Sequence, residues 1–169
     1  MRNIVIVSAL FCLAPMASSA QVKVSGILEC LSSSGTRATH IGDRRSHTYS
    51  VESLNCVWKS PLILEGIQAK EEERHLFLEA TRNWSQQRGR SVGMMSNGDK
   101  YGIRWLENRT VSYWKSSAAK GKWMFTGGTG SIRGIEGGGS YERAAENQEG
   151  KLVFQVEGRY RLSKKKRPR

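Results

Sequence analysis

Beyond residue 20, apolar and polar residues alternate along much of the chain with a period of two, the pattern of strands that pack one face and wet the other. Val22, Val24, Leu28 and Cys30 alternate with Lys23, Ser25 and Glu29. The clearest run is 152–162, where Leu152, Phe154, Val156, Tyr160 and Leu162 alternate with Val153, Gln155, Glu157, Arg159 and Arg161. Gly158 falls on the inward series of that run, which points to a bulge, a sharp bend or close approach of another backbone. Further strands are predicted at 48–58, 62–68, 76–82, 91–95, 100–106, 110–115, 122–126 and 138–143. Asn97-Gly98 lies between two of them and signals a hairpin, because both residues tolerate the positive φ of a tight turn. Residues 69–80, with Glu71-Glu72-Glu73-Arg74, read equally as one short helix or as a strand. Strands spaced about ten residues apart, with at most one helix among them, predict an all-β antiparallel barrel or sandwich. Parallel α/β organisation would need helices between the strands.

The composition agrees with a packed domain. The chain has 169 residues, 38% of them apolar, with 18 glycines, three prolines, five Trp, five Tyr and four Phe. Collagen, coiled coil, disordered and polytopic membrane classes are excluded. Residues 1–20 add a compartment: Met-Arg-Asn, an apolar run from Ile4 to Ala14, then Pro15 and a small-residue ending at Ser18-Ser19-Ala20. This is the pattern of a cleavable export signal, and the run is too short for a stable membrane-spanning helix. The expected organisation is a signal peptide at 1–20, a barrel domain at 21–162 and a basic tail at 163–169, in a periplasmic or secreted protein. An uncleaved anchor is the alternative for the first segment.

Export changes the reading of the cysteines. Cys12 leaves with the signal, and Cys30 and Cys56 remain, most simply as one disulfide formed in an oxidising compartment. Two buried free thiols are the competing reading. Charge adds a further element: without Arg2 the chain carries 26 basic and 15 acidic residues, a net +11. Five of these charges are in the tail, at Lys164, Lys165, Lys166, Arg167 and Arg169. The tail is therefore a candidate for polyanion binding, with anionic envelope lipid as the partner, against the alternative that its charge serves solubility alone.

Seven of the thirteen residues from Gly127 to Gly139 are glycine: Gly127, Gly128, Gly130, Gly134, Gly137, Gly138 and Gly139. A phosphate-cradling loop would require the turn to open a helix, and the residues that follow are poor helix formers. The glycines instead suit positive φ and close strand crossings at a barrel corner. Trp123-x-Phe125-x-Gly127-Gly128-Thr129-Gly130, then Gly134-Ile135-x-Gly137-Gly138-Gly139-x-Tyr141, then Gly158-x-Tyr160-x-Leu162 resembles exported bacterial proteins with an allene oxide cyclase-like or dirigent-like β-barrel. The resemblance covers roughly residues 91–162. It implies an antiparallel barrel of about eight strands whose mouth holds a small hydrophobic ligand. It assigns no catalytic residue, since the pocket side chains of the plant cyclases and coupling guides have no match here.

The remaining candidate chemistry is sparse. His40, His47 and His75 lack partners at zinc-site spacing and read as solvated surface residues, so no metal and no cofactor are expected. Of thirteen glutamates, Glu107 and Glu157 lie in or beside strands, Glu157 facing outward, and no pair of acids is seen to converge. Trp84, Trp105, Trp114, Trp123, Tyr101 and Tyr113 stand among arginines, which suits either a nucleic-acid stacking platform or a filled barrel interior. The second is preferred, and nucleic acid is not an expected partner. The function expected is a non-catalytic small-molecule-binding or envelope-associated protein; the alternative is an isomerase or cyclase acting on a small apolar substrate in the barrel mouth.

Overall fold

The computed structural model describes residues 20–33, 37–43, 46–82, 84–110, 119–144 and 151–163. Ten strands run in order: β1 (Val22–Ser32), β2 (Arg37–His40), β3 (Thr48–Ser60), β4 (Ile63–Leu64), β5 (Ile67–Ala80), β6 (Trp84–Met95), β7 (Lys100–Thr110), β8 (Ala119–Gly128), β9 (Ile135–Arg143) and β10 (Leu152–Leu162). Their lateral order is β3-β1-β10-β9-β8-β7-β6-β5, and β5 pairs back onto β3. All these pairings are antiparallel, so the sheet closes into an eight-stranded barrel. Closure removes the exposed sheet edge that an open sheet presents. β2 and β4 are short additions on β3 and β5.

Among the described residues there is no α-helix; the only helical turn is the 3-10 turn Gly130–Ile132. Residues 69–80 are strand. Leu76, Arg74 and Glu72 point inward while Phe77, His75, Glu73 and Glu71 point out, a period of two that a helix cannot satisfy. The strand expected at 62–68 is instead a tight hairpin, in which Glu65 and Gly66 turn the chain with φ of 52° and 78°. β7 runs on to Thr110, and residues 111–118, which include most of the strand expected at 110–115, lie outside the described residues, as do 1–19 and the tail from Lys164 to Arg169. Ser163, the first residue assigned to the tail, still donates its backbone N–H to Gly134 at 2.8 Å.

The inward positions of the eight strands form one core that includes Leu28, Leu54, Trp58, Tyr101, Ile103, Trp105, Trp123, Phe125, Tyr141 and Phe154. Cys30 and Cys56 are directly paired across β1 and β3 and form a disulfide inside it. Large rings fit because glycines face them. Gly158 lies opposite Gly139 on β9 and β10, and the Trp123 indole covers that gap, donating Nε1–H to the carbonyls of Glu157 (3.1 Å) and Ser140 (3.2 Å). A Cβ at Gly158 would come within 2.6 Å of the Trp123 ring, and one at Gly139 within 2.5 Å of the Gly158 Cα. Gly139 and Gly158 therefore act by close approach, and not by positive φ.

Gly139→Ala pushes a methyl group into the β10 backbone, which cannot rotate aside as a side chain would. We expect a loss of about 3 kcal/mol, the upper end for overpacking, read as a lower urea midpoint in far-ultraviolet circular dichroism. An unchanged midpoint would show that β9 and β10 are not held apart by the missing side chains alone.

Candidate functional site

The two ends of the barrel differ. At one end the connections 61–66, 96–99 and 129–134 fold over the opening, and Leu62, Leu64 and Ile132 are fully buried there. Asp99 ties two of these connections together. Its carboxylate accepts from the Ser131 backbone N–H (2.9 Å), the Ser131 hydroxyl (2.6 Å) and the Asn97 amide (2.8 Å), and the first two bonds chiefly hold it below its ordinary pKa. Gly130, with φ of 49°, leaves the room this carboxylate occupies, since a Cβ there would meet Asp99. Gly134 makes similar room for the Ser163 carbonyl, which a Cβ there would meet at 2.5 Å. Gly127 and Gly137 have φ of 153° and 133°, and a Cβ at Gly128 would meet the Ile132 carbonyl at 2.5 Å and one at Gly138 the Met124 Cα at 2.9 Å. The glycine cluster thus builds the closed end and the β8–β9 crossing.

At the opposite end β1, β5, β7 and β9 finish and β3, β6, β8 and β10 begin. One register row crosses the interior just below it: Ser50, Leu78, Gln87, Glu107, Gly121, Tyr141 and Val156, each opposite the next. Glu52, Leu78, Gln87, Arg143 and Leu152 are inward by register yet half-buried, so this end of the interior is partly open to solvent. Glu107 forms part of its floor: the Tyr141 hydroxyl donates to it at 3.0 Å, and an Arg143 guanidinium nitrogen lies 3.8 Å away. Arg143 is 15% exposed, and its Nε is buried with no partner among the described residues.

A second polar group lies deeper. The Arg74 guanidinium is flat against Trp105, 3.7 Å from the ring centroid, and against Phe154 at 4.4 Å. Its Nη2 donates to Glu72 at 3.3 Å, and the Tyr101 hydroxyl, itself accepting from the Trp58 indole at 2.8 Å, donates to the other Glu72 oxygen at 3.4 Å. The Arg74 Nε has no partner among the described residues. Desolvation lowers the Arg74 pKa against the opposing pull of Glu72, and desolvation followed by the Glu72 charge raises that of Tyr101 well above its ordinary value. Glu72 and Arg74 were not recognised in the sequence; continuing the inward series backward from Leu78 and Leu76 would have reached them.

His47 corrects the expectation of solvated histidines. It is 8% exposed and held between Asp43, 2.5 Å from Nδ1, and Glu79, 3.1 Å from Nε2. These two bonds, Asp43 first, raise its pKa above 6.5 and so pin the 41–47 connection to β5. His40 and His75 are exposed, and among the described residues no group of three metal-ligating side chains converges. Trp105, Trp123 and Tyr101 are buried in the interior, Trp84 is exposed, and Tyr113 and Trp114 lie outside the described residues. Glu157 faces outward.

No family model matches the chain, and no curated protein does. Among solved structures, that of the pterocarpan synthase dirigent protein GePTS1 is similar over 94% of this chain and 98% of that one, with 10% sequence identity and a TM-score of 0.48.

Two consequences can be measured. Glu72→Leu leaves the Arg74 cation buried without its carboxylate and should cost about 3–5 kcal/mol, whereas Glu72→Leu with Arg74→Met should recover most of that loss; urea denaturation of both variants decides this. For His47 the folded-state pKa is raised, so its contribution is complete below pH 6.5 and disappears as pH rises through the raised value. Nuclear magnetic resonance titration of the ring should give a midpoint above 6.5, and thermal stability should fall across the same window in the parent but not in His47→Gln.

Proposed function

We propose that this chain is an exported, non-catalytic barrel of the allene oxide cyclase-like or dirigent-like type that binds a small, largely apolar molecule at its open end. The observation that carries the reading is the asymmetry of the interior. One end is packed with Leu62, Leu64 and Ile132, while at the other the inward positions turn polar and half-buried, at Glu52, Gln87 and Arg143 beside Leu78 and Leu152. A mouth with apolar walls and a few convergent polar groups is the usual chemistry of a small-molecule site. Glu107, Tyr141 and Arg143 would orient a ligand carrying a hydroxyl or carbonyl group. The closed eight-stranded barrel and the glycine stretch through Gly139 support the family reading.

Export is supported by the signal-like segment 1–20 and by the Cys30–Cys56 disulfide, which an oxidising compartment favours. Among the described residues no helix is long and apolar enough to cross a membrane. Ser163, next to the basic residues Lys164–Arg169, is at the closed end, and attachment of those residues to anionic envelope lipid would tether the domain. One observation favours the isomerase reading: a buried Glu107 bonded to a Tyr hydroxyl could exchange a proton with a substrate in the mouth.

Titration with anilinonaphthalene sulfonate and with a panel of phenols and cyclic ketones, followed through Trp fluorescence, tests the site. Saturable binding should weaken about tenfold in Arg143→Leu and Gln87→Leu, the loss expected for one hydrogen bond to a charged or buried partner. Equal binding by parent and variants would place the ligand elsewhere. Turnover of a panel compound that Glu107→Gln abolishes would replace the binding reading with the isomerase.

A further inference from the structure

The outer wall of β6, β7 and β8 carries a pattern that the interior does not explain. Outward residues form two adjacent rows, Arg90, Arg104 and Met124 in one, and Arg88, Leu106 and Lys122 in the other, each residue directly opposite the next. Arg90 and Arg104 are thus like charges facing each other across an antiparallel pair, an arrangement that destabilises a sheet. Among the described residues none of the four cations has an ion-pair partner. Of the acids on the flanking strands, Glu73 lies beside His75 at 3.4 Å, Glu136 pairs with Arg161 at 3.1 Å and Glu142 with Lys120, while Glu71 is exposed opposite Met94. Met124 is 50% exposed at the centre of the wall, and Gly138, opposite it on β9, supplies no side chain. A trough of about 650 Å³ results, with Leu106, Met124 and the Gly137–Gly139 backbone along it and Arg104, Lys122 and the Arg161-paired Glu136 at its margins.

From this we propose that the β6–β8 wall is a docking surface for an anionic lipid bilayer. Four cations spread over three strands of a convex wall cannot converge on one small anion, but they match a layer of head groups. The apolar side chains between them match the acyl region just beneath such a layer, where a soluble polyanion offers nothing apolar. The uncompensated charge is attractive only toward an anionic surface, and it acts within a Debye length of that surface. This inference rests on the wall alone. It is independent of the ligand in the mouth and of the tail, which follows Ser163.

Co-sedimentation of the full chain with phosphatidylglycerol–phosphatidylcholine vesicles tests it, with pure phosphatidylcholine vesicles as the neutral arm. Arg90→Gln with Arg104→Gln should reduce partitioning into the anionic vesicles about 30-fold, given the attraction expected for each basic residue near such a surface. Met124→Ser should reduce it further without changing its salt dependence. Thermal melts of both variants should at least match that of the parent, because Arg90 and Arg104 are outward and like-charged and Met124 is half exposed. Deleting Lys164–Arg169 separates the tail: partial loss of binding leaves the wall's contribution measurable, whereas complete loss in the tail deletion with none in the double variant overturns the proposal. Binding to heparin or DNA but not to anionic vesicles also overturns it.

Discussion

Eight strands closed into a ring leave an interior only a few side chains wide, and everything else about this protein depends on filling it. The chain fills it with rings placed over glycines. Tyr101 covers Gly93, Tyr141 covers Gly121, Trp58 covers Gly26, where a Cβ would come within 2.8 Å of its ring, and Trp123 covers the Gly139–Gly158 pair. Each glycine removes the Cβ that would hold the ring away, and each ring restores the apolar contact that the glycine gave up. The fit also fixes register. A slip of one residue would turn Trp105 and Trp123 to solvent and bring Arg104 and Met124 inside. Indole and phenol groups carry polar atoms into this core, and nearly all find acceptors: Trp105 on the Ser91 hydroxyl at 2.8 Å, Trp58 on Tyr101, Trp123 on strand carbonyls.

Such an interior makes the buried ions informative. A core of this size can be completed with aliphatic residues, and replacing a buried ion pair by packed hydrophobes often leaves stability unchanged or improved. Glu72 and Arg74 are nevertheless present, enclosed by Trp105, Phe154 and Tyr101. Among the described residues the network is incomplete, because the Arg74 Nε goes without a partner, and the same is true of Arg143 nearer the mouth. Two guanidinium groups with an unpaired donor in one barrel are costly features for folding alone.

Much of the fold was legible in the alternation of apolar and polar residues, because a strand in a closed barrel has one dry and one wet face throughout. Strand 152–162 and the inward place of Gly158 follow from that rule. The polar stretch in β5 did not yield to it. Glu71-Glu72-Glu73-Arg74 shows no apolar parity, and a bulge between Ala69 and Glu71 shifts the phase, so Ala69 and Glu72 both point inward though three residues apart. The hairpin at Glu65 was hidden for a related reason, since a non-glycine residue at φ of 52° leaves no mark in composition. His47 was misread because its partners, Asp43 and Glu79, come from a connection and from a strand 32 residues away. The candidate site was therefore visible only in part: Glu107 and the aromatics could be named, but the convergence of Glu107, Tyr141 and Arg143 is a property of the closed ring.

Polarity is distributed over this barrel in a way that separates its parts. The closed end is locked by apolar packing and by two carboxylates, Asp99, whose bonds are to Ser131 and Asn97 in the same corner, and Glu65, which accepts from the Tyr160 hydroxyl at 3.1 Å. The open end holds acids and bases in contact, Glu107 with Arg143 and His47 with both Asp43 and Glu79. On the β6–β8 wall the four cations have no such partner among the described residues. The wall and the mouth adjoin, since Arg88 and Leu106 of the wall neighbour Gln87 and Glu107 in the chain, and the sheet itself separates the outward cations from the inward acids.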